Sequence, residues 1–438
     1  MANIKTNYML YKSLNLQSPD VHFRKALTDG LASDKGLYFP KNIERLPISF
    51  FEQIETLDDD YICFKAIEQF IGDEIPEEVL RQIVSETINF EFPVVQISPS
   101  IFSLELFHGP TLAFKDVGAR FMSRCLAYFN RENLTKKNTI LVATSGDTGG
   151  AVANGFLGVS GVDVVILYPQ NKVSDIQERQ LTTLGQNIKA VEIVGTFDDC
   201  QDMVKKAFLD KELQNLNLTS ANSINVARWL PQMFYYFLTY KKLKKENKPL
   251  VFSVPSGNFG NSCAGIVAKK LGLPIHHMIA ATNSNDTIPK YLNNGNFDVK
   301  STIPTLSNAM DVSNPSNFVR IQALYDNDIH QLKAEFSSCS YNDEETVEGM
   351  RELYKQFNYI SEPHGAIGYL GLKNYLNSDL SSIGVFLATA HPVKFLETVE
   401  RSLNLELEIP LSIESILTHK KEKYTVKTYE ELKKFLNS

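Results

Sequence analysis

The chain has 438 residues, of which 43% are hydrophobic and 22% are charged, and its net charge is −7. This length allows two or three domains with substantial cores, and the composition is ordinary for a soluble globular protein. The densest basic stretch, KKLKKENK (241–248), is better explained as the solvated end of a helix than as a nucleic-acid patch.

The sequence also argues against a membrane, secreted or metal-dependent protein. No apolar run is long enough to span a bilayer, and the first residues lack the apolar core of a signal peptide. We therefore expect a cytoplasmic protein that binds neither nucleic acid nor membrane. The five cysteines show no CxxC pair or metal-ligand spacing, so we expect no disulfide and no metal site. They are Cys63, Cys125, Cys200, Cys263 and Cys339.

In chain order, residues 1–95 read as a mostly helical N-terminal domain with no chemistry of its own. Its helical segments are FFEQIETLDD (50–59), DDYICFKAIEQFIG (59–72) and PEEVLRQIVSETI (76–88). From residue 138 the pattern changes to alternating strands and helices, which is typical of a parallel sheet covered on both faces. The strands of this first set are NTILVATS, VDVVILYP and KAVEIV.

One long helix from Arg228 to Leu243 is predicted next, followed by a second alternating set with strands PLVFSVPSG, PIHHMIAATN and GVFLATA. The last stretch, residues 411–436, is predicted to be a surface tail with a terminal helix. We predict two open α/β lobes, 96–225 and 226–438, with a cleft between them at the carboxyl ends of strands, where cofactors commonly bind.

The segment FHGPTLAFKDVGARFM (107–122) places Lys115 at the start of a predicted helix, with Asp116 as a candidate cap. The preceding apolar pair, Ala113 and Phe114, can desolvate the amine, and a helix N-terminus disfavours an ammonium. Both effects lower a lysine pKa and favour the neutral amine that a Schiff base requires. A solvated lysine at a helix start is the commoner alternative.

Three further segments are predicted strand-to-helix junctions. SGNFGNS (256–262) has glycines that let the backbone approach an anion at a helix N-terminus, although it lacks the lysine of a P-loop and could be an ordinary turn. ATSGDTGGA (143–151) offers hydroxyls and backbone N–H groups that suit a carboxylate. The third is LATAHPVKF (387–395).

Together these four segments resemble the threonine synthase family, which are pyridoxal 5'-phosphate enzymes of fold type II (tryptophan synthase β-like). ALTDGLASDKGLYFP (26–40), TLSNAMDVSNPSNFVR (305–320) and SEPHGAIGYLGL (361–372) extend the resemblance over residues 22 to 400. The resemblance implies the conversion of O-phospho-L-homoserine and water to threonine and phosphate. We expect a monomer or a homodimer, and the sequence does not decide between them.

The resemblance also implies roles for single residues. Lys115 would form the Schiff base with pyridoxal phosphate and act as the catalytic base, and a neutral Thr389 would face the pyridine nitrogen and favour elimination and replacement over transamination. The phosphate of the cofactor would lie in a loop formed by Gly257, Asn258, Phe259, Gly260 and Asn261.

The implied substrate site has two parts. The substrate carboxylate would lie in the loop of Thr144, Ser145, Gly146, Asp147 and Thr148. Asp147 stands where many relatives have asparagine, so the contact of that asparagine with the cofactor is not transferred. The substrate phosphate would meet Asn225, Arg228 and Lys394, of which Arg228 is the natural bidentate ligand.

Alternatives remain open on the sequence alone. Arg228 and Lys394 could be ordinary helix residues, and His108 and His364 are more often structural than catalytic. A phospholyase that turns the same substrate into 2-oxobutyrate would share every motif. Other candidates are a threonine dehydratase or cysteine synthase, and a catalytically silent ligand-binding homologue.

Overall fold

The structure is a computed structural model that describes residues 8–131 and 137–438. The N-terminal region is mostly helical, as predicted, and adds a small antiparallel ribbon. Its elements are β1 (Tyr11–Ser13), α1 (Phe23–Asp29), β2 (Tyr38–Pro40), α2 (Ile48–Gln53), α3 (Asp59–Ile71) and α4 (Glu77–Thr87). Tyr11 anchors the ribbon to α3, since its hydroxyl donates to the Phe70 carbonyl at 2.7 Å.

The next part of the chain alternates strands and helices. It contains β3 (Val94–Ser98), β4 (Ile101–Glu105), α5 (Lys115–Asn130), β5 (Asn138–Ala143), α6 (Asp147–Phe156), β6 (Val162–Pro169), α7 (Asp175–Thr182), β7 (Ile188–Ile193), α8 (Phe197–Leu209) and β8 (Leu218–Thr219). β6 coincides with the predicted strand VDVVILYP, whose residues are buried on both faces as expected for a parallel sheet.

The long helix predicted from Arg228 to Leu243 is broken. α9 (Val226–Trp229) and α10 (Phe234–Leu243) are separated by a 3-10 turn, Leu230–Met233. Pro231 lies in this turn, and a proline lacks the N–H and clashes with the preceding turn of an α-helix, so a continuous helix is disfavoured.

The second alternating set follows. It contains β9 (Leu250–Pro255), α11 (Gly260–Lys270), β10 (His277–Thr282), α12 (Thr287–Asn294), α13 (Phe318–Leu324), α14 (Ile329–Glu335), β11 (Phe336–Ser340), α15 (Asp343–Phe357), α16 (Pro363–Leu376), β12 (Ile383–Ala388), a 3-10 turn (Pro392–Phe395) and α17 (Leu396–Leu403). The tail adds α18 (Leu411–Leu417), β13 (Tyr424–Val426) and α19 (Tyr429–Leu436).

The strands form two sheets. The large sheet has the order β11-β10-β9-β12-β4-β3, and the small sheet has the order β13-β7-β6-β5-β8. All pairings within them are parallel except that of β3 with β4. The hydrogen bonding crosses the division predicted at residue 225, because β3 and β4 pair into the large sheet and β13 pairs into the small one.

The C-terminal tail is therefore more than a surface segment. Ile413 of α18 is buried against Leu112, Ile176 and Val393, and β13 pairs with β7. Lys421 and Lys423 both bond to the Glu178 carboxylate of α7, and Lys423 also bonds to Glu192 at 2.7 Å.

Among the described helices, none is long and apolar enough to cross a membrane.

We predict that Glu178→Gln loosens the tail. Burial raises the pKa of Glu178, but the two lysines outweigh it and lower that pKa below its ordinary value of 4.5. The stabilisation is therefore complete above pH 4.5 and is lost as the pH falls through the lowered pKa. The protection factors for hydrogen exchange of residues 411–436, which correct for the intrinsic effect of pH, should be lower in the variant than in the wild type at neutral pH. In the wild type they should fall as the pH is lowered.

Asp202→Asn is the matched control, because its ion pair with Lys205 is largely exposed on α8. Equal exchange in Glu178→Gln and the control would contradict this account of the tail.

Candidate active site

Three neighbouring strands of the large sheet, β9, β12 and β4, end at the same edge. The chain leaves β4 into the segment that leads to Lys115, leaves β9 into the 256–260 loop, and leaves β12 at Thr389. Three of the predicted motifs therefore converge because the carboxyl ends of parallel strands share one edge.

Backbone hydrogen bonds fix Lys115 beside Thr389. The Phe114 amide donates to the Thr389 carbonyl at 2.9 Å, and the His391 amide donates to the Leu112 carbonyl at 3.0 Å. Ala113 and Ala390 form an antiparallel bridge between these bonds. The lysine is thus carried on a short β-like connection to the end of β12 and not on a free loop.

Lys115 is the first residue of α5 and is half-buried. Burial is the main cause that lowers the pKa of its ammonium, and Lys394 and Arg228 lower it further. The Asp147 carboxylate acts in the opposite direction. The net lowering agrees with the prediction that this amine is easily deprotonated.

Asp116 does not cap α5 as predicted, since Phe114 occupies the cap position without a side-chain bond. The Asp116 carboxylate instead turns back to accept from the Thr111 amide at 2.9 Å and the Thr111 hydroxyl at 2.5 Å. These two bonds join Thr111 to Asp116 and hold the 109–116 segment in a closed turn.

The 256–260 loop, here called the anion cradle, has a backbone geometry suited to binding an anion. It leads into the N-terminus of α11, where the first amides of a helix have no intrahelical acceptor. Gly257 is required, because a Cβ there would lie 2.7 Å from the Met310 Cα atom. Phe259 has φ of 58°, a rare conformation for a bulky residue that is often found at functional sites.

The side chains of this loop are held by its neighbours. Asn258 donates to Ser223 and accepts from the Ser316 amide at 2.6 Å, so it bridges two other segments. Asn261 accepts from the Tyr236 hydroxyl at 2.8 Å, and its buried Nδ2 atom has no partner among the described residues. An unpartnered buried donor beside free amides suits an anionic ligand.

The 143–151 segment lies at the end of β5 in the small sheet. The buried Thr144 hydroxyl accepts from the amides of Gly146 and Gly149 at 2.9 and 2.8 Å, so it shapes the loop. Gly146 has φ of 135°, and a Cβ there would lie 2.4 Å from Gln177. Ser145 and Thr148 are half-buried on the same loop.

Asp147 and Lys394 form a buried ion pair between the two sheets. The Lys394 ammonium is 2.8 Å from the Asp147 carboxylate and has no exposed surface, while Asp147 is 5% exposed. Lys394 also donates to the Thr111 carbonyl at 2.8 Å. The geometry therefore gives no support to the expected contact of Lys394 with a substrate phosphate, because the ammonium already has two protein partners.

Arg228 and Asn225 lie together at α9, but only Arg228 has unused donors. Asn225 caps α9 through Ala227 and donates to the carbonyls of Leu27 and Ser220, so its amide serves the fold. Arg228 is 2% exposed, donates to the Ala221 carbonyl, and has a buried Nε without a partner among the described residues. Burial lowers the pKa of Arg228 to about 10.

The two histidines differ. His364 is buried between the Glu362 carboxylate, at 2.5 Å, and the Ala309 amide, at 3.2 Å, so it is a structural residue that supports the turn against Gly257. His108 is 38% exposed and bonds to Glu105 at 2.8 Å.

Sequence reasoning gave no role to Gln177 and Asn308. Gln177 donates to Asp147 at 3.0 Å, and its signal was the capping box that begins with Ser174. The side-chain Oδ1 atom of Asn308 is buried without a partner among the described residues, and only the place of Asn308 in a family segment pointed to it.

The fold and this site define a pyridoxal-phosphate-dependent enzyme of fold type II. The family profile described as "Pyridoxal-phosphate dependent enzyme" matches residues 96–387. Profiles for the threonine synthase N terminus and C-terminal region match residues 10–88 and 365–436.

The chain belongs to the threonine synthase family. It is 47% identical over 400 residues to threonine synthase from Escherichia coli strain K12, which covers 91% of this chain and 92% of that relative. The crystal structure of the Escherichia coli enzyme matches with a TM-score of 0.92 and 44% identity, over 98% of this chain and 99% of that one. Pyridoxal-phosphate-bound threonine synthase from Brucella melitensis matches with a TM-score of 0.92 and 33% identity, over 98% of both chains.

The cofactor is pyridoxal phosphate, and the residues present fit it. A deprotonatable amine on Lys115, an anion cradle at the start of α11, and an unpartnered amide donor on Asn261 all lie at or next to one sheet edge. These are the groups that an aldehyde carrying a phosphate requires.

We predict that Thr144→Val impairs the carboxylate loop while Thr144→Ser does not. Valine keeps the volume but leaves the amides of Gly146 and Gly149 without their acceptor, a loss of about 1–3 kcal/mol per buried donor. The KM for the amino-acid substrate should rise in the valine variant, and its midpoint in urea unfolding should fall. Wild-type values for both quantities in Thr144→Val would contradict the role given to this hydroxyl.

Proposed function

We propose that this enzyme converts O-phospho-L-homoserine and water to threonine and inorganic phosphate. The observation that supports the proposal is that two separate candidate anion-binding sites accompany Lys115, whose amine is easily deprotonated. One is the 257–261 loop, and the other is the buried guanidinium of Arg228. A reaction with a phosphorylated cofactor and a phosphorylated substrate needs two anion sites at once.

We assign the cofactor contacts as follows. Lys115 would attach pyridoxal phosphate covalently, and the Thr389 hydroxyl would lie on the side of the ring nitrogen. The cofactor phosphate would be held by Gly257, Asn258, Phe259, Gly260 and Asn261. When bound, pyridoxal phosphate supplies an electron sink for the negative charge that develops on the substrate. A neutral hydroxyl at the ring nitrogen moderates that sink and suits elimination and replacement.

The chain's own groups perform the proton transfers and the positioning. The Lys115 Nζ atom removes the proton from the substrate Cα atom, for which a neutral amine is needed. The loop of Thr144, Ser145, Gly146 and Thr148 binds the substrate carboxylate through N–H and hydroxyl donors. A Cβ proton leaves together with the phosphate on Cγ, which Arg228 binds. A proton then adds at Cγ, and water adds at Cβ.

Closing of the small sheet over the large one would exclude water from the early steps. The Asp147–Lys394 pair and α18 already join the two sheets, which supports a short movement more than a wide opening.

The deciding experiment is product analysis of the holoenzyme with O-phospho-L-homoserine, by proton NMR and a phosphate assay. We expect threonine and phosphate in equal amounts. Phosphate with 2-oxobutyrate would replace the proposal with a phospholyase, and no phosphate would overturn the substrate. The family relatives favour the synthase over the phospholyase and over threonine dehydratase.

We predict that Lys115→Ala abolishes the visible absorbance of the holoenzyme and lowers kcat at least about a hundredfold, since both the covalent link and the general base are lost. Absorbance spectra and turnover assays measure these effects. Substantial turnover in this variant would show that another group is the base.

We predict that Arg228→Met raises the KM for O-phospho-L-homoserine by at least about tenfold, because charge-assisted hydrogen bonds of about 1.5–3 kcal/mol are lost. The affinity for pyridoxal phosphate, measured by spectroscopic titration, should change little. A large loss of cofactor affinity with unchanged KM would place Arg228 at the other phosphate.

A further inference from the structure

An aspartate in a carboxylate-binding loop is electrostatically unfavourable. Asp147 directly follows Gly146 in the loop assigned to the substrate carboxylate, and it is ionised, since Lys394 and Lys115 hold its pKa well below the usual range against the effect of burial. An unpaired anion there would repel the substrate and attract the ammonium form of Lys115. The structure has to neutralise it.

Lys394 supplies the neutralising charge. Its ammonium is fully buried, lies 2.8 Å from the Asp147 carboxylate, and donates to the Thr111 carbonyl at the same distance. Gln177 adds a third fixed contact by donating to Asp147 at 3.0 Å. A buried pair with this many hydrogen bonds is held in one geometry.

The same ammonium acts on the segment that carries the catalytic lysine. Thr111 is fixed at its amide and hydroxyl by Asp116, and its carbonyl points to Lys394. Gln180 donates to that carbonyl as well, at 3.1 Å. The charge balance at Asp147 and the position of the 109–116 segment therefore depend on one side chain.

We propose that Lys394 is a positioning residue and not a phosphate ligand. By pairing with Asp147 it keeps the carboxylate away from the Lys115 amine, which is then more easily deprotonated. This inference rests on the proposed role of Lys115 and deepens it.

The other charged groups around Lys115 do not provide the same balance. Arg228 on α9 adds a second positive charge, and the Asp116 carboxylate on α5 itself is turned toward Thr111. Tyr235 of α10 donates its hydroxyl to the Phe114 carbonyl and stays neutral, because burial raises its pKa well above the ordinary value. Among these described groups, Asp147 is the one that raises the pKa of Lys115, and Lys394 is its ion-pair partner.

The test is the pH midpoint of Lys115 reactivity in the apoenzyme, measured by competitive labelling with acetic anhydride and mass spectrometry of the Lys115 peptide. In Lys394→Met the unpaired carboxylate should raise the midpoint by about one unit or more. In Asp147→Asn it should fall, because two cations then act without an anion. The double variant should return toward the wild type, and Lys394→Arg should stay near it.

Lys373→Met is the matched control, since its ion pair with Glu352 at 2.6 Å lies on α15 and α16, and we expect no shift there. If Lys394→Met does not fold, Asp147→Asn and the double variant decide the matter. The proposal would be overturned if the midpoint of Lys115 did not change in either Lys394→Met or Asp147→Asn. It would also be overturned if the midpoint shifted in the same direction in these two variants.

The capture of pyridoxal phosphate, followed by visible absorbance over the same pH range, separates this inference from the proposed function. If the wild type gains no absorbance, the cofactor role of Lys115 fails, and the labelling midpoints still decide the role of Lys394. If absorbance appears and depends on Lys115 but the midpoints do not move, only the role of Lys394 fails.

Discussion

The short antiparallel pairing of residues 112–114 with 389–391 is the contact on which the site depends. It joins the segment before α5 to the end of β12 through main-chain bonds, so the position of Lys115 follows from the register of the large sheet. Side-chain changes nearby can alter charge and volume, but they do not remove these bonds. A lysine held in this way needs little further ordering when cofactor and substrate arrive.

The electrostatics of the site follow from the same arrangement. The Lys394 ammonium and the Arg228 guanidinium both lie near the Lys115 amine in a region largely shielded from water, and among the groups that act on that amine Asp147 is the opposing carboxylate. Such a surplus of positive charge is costly in an empty protein and favourable once two phosphates and a carboxylate are present. Anionic ligands of this kind would neutralise the excess positive charge of the site.

Much of this could be read from the sequence, and the failures have physical causes. β6 was predictable from a short continuous apolar run, and α5 and α8 from apolar residues at helical spacing. Lys115 and the 257–261 loop were identified by family motifs, and the structure brings them to one edge. The break at Pro231 was missed because apolar periodicity outweighed the missing N–H in our interpretation. The carbonyl partners of Lys394 and Asn225 are distant in sequence, so no local pattern could show them. Asp116 bonds back to the nearby Thr111 and does not cap α5, and a helical pattern does not distinguish these two outcomes.

The pairing of β13 with β7 has a consequence for how the molecule is made. β7 ends at Ile193, and the strand that covers it lies at 424–426, more than half the chain later. During synthesis the N-terminal parts fold first, so this edge of the small sheet stays uncovered until residues 424–426 have left the ribosome. For that interval the nascent protein presents an open strand edge of the kind that other chains can pair with. The segment that contains β13 thus completes the small sheet and also covers an edge that would otherwise remain open to pairing with other chains.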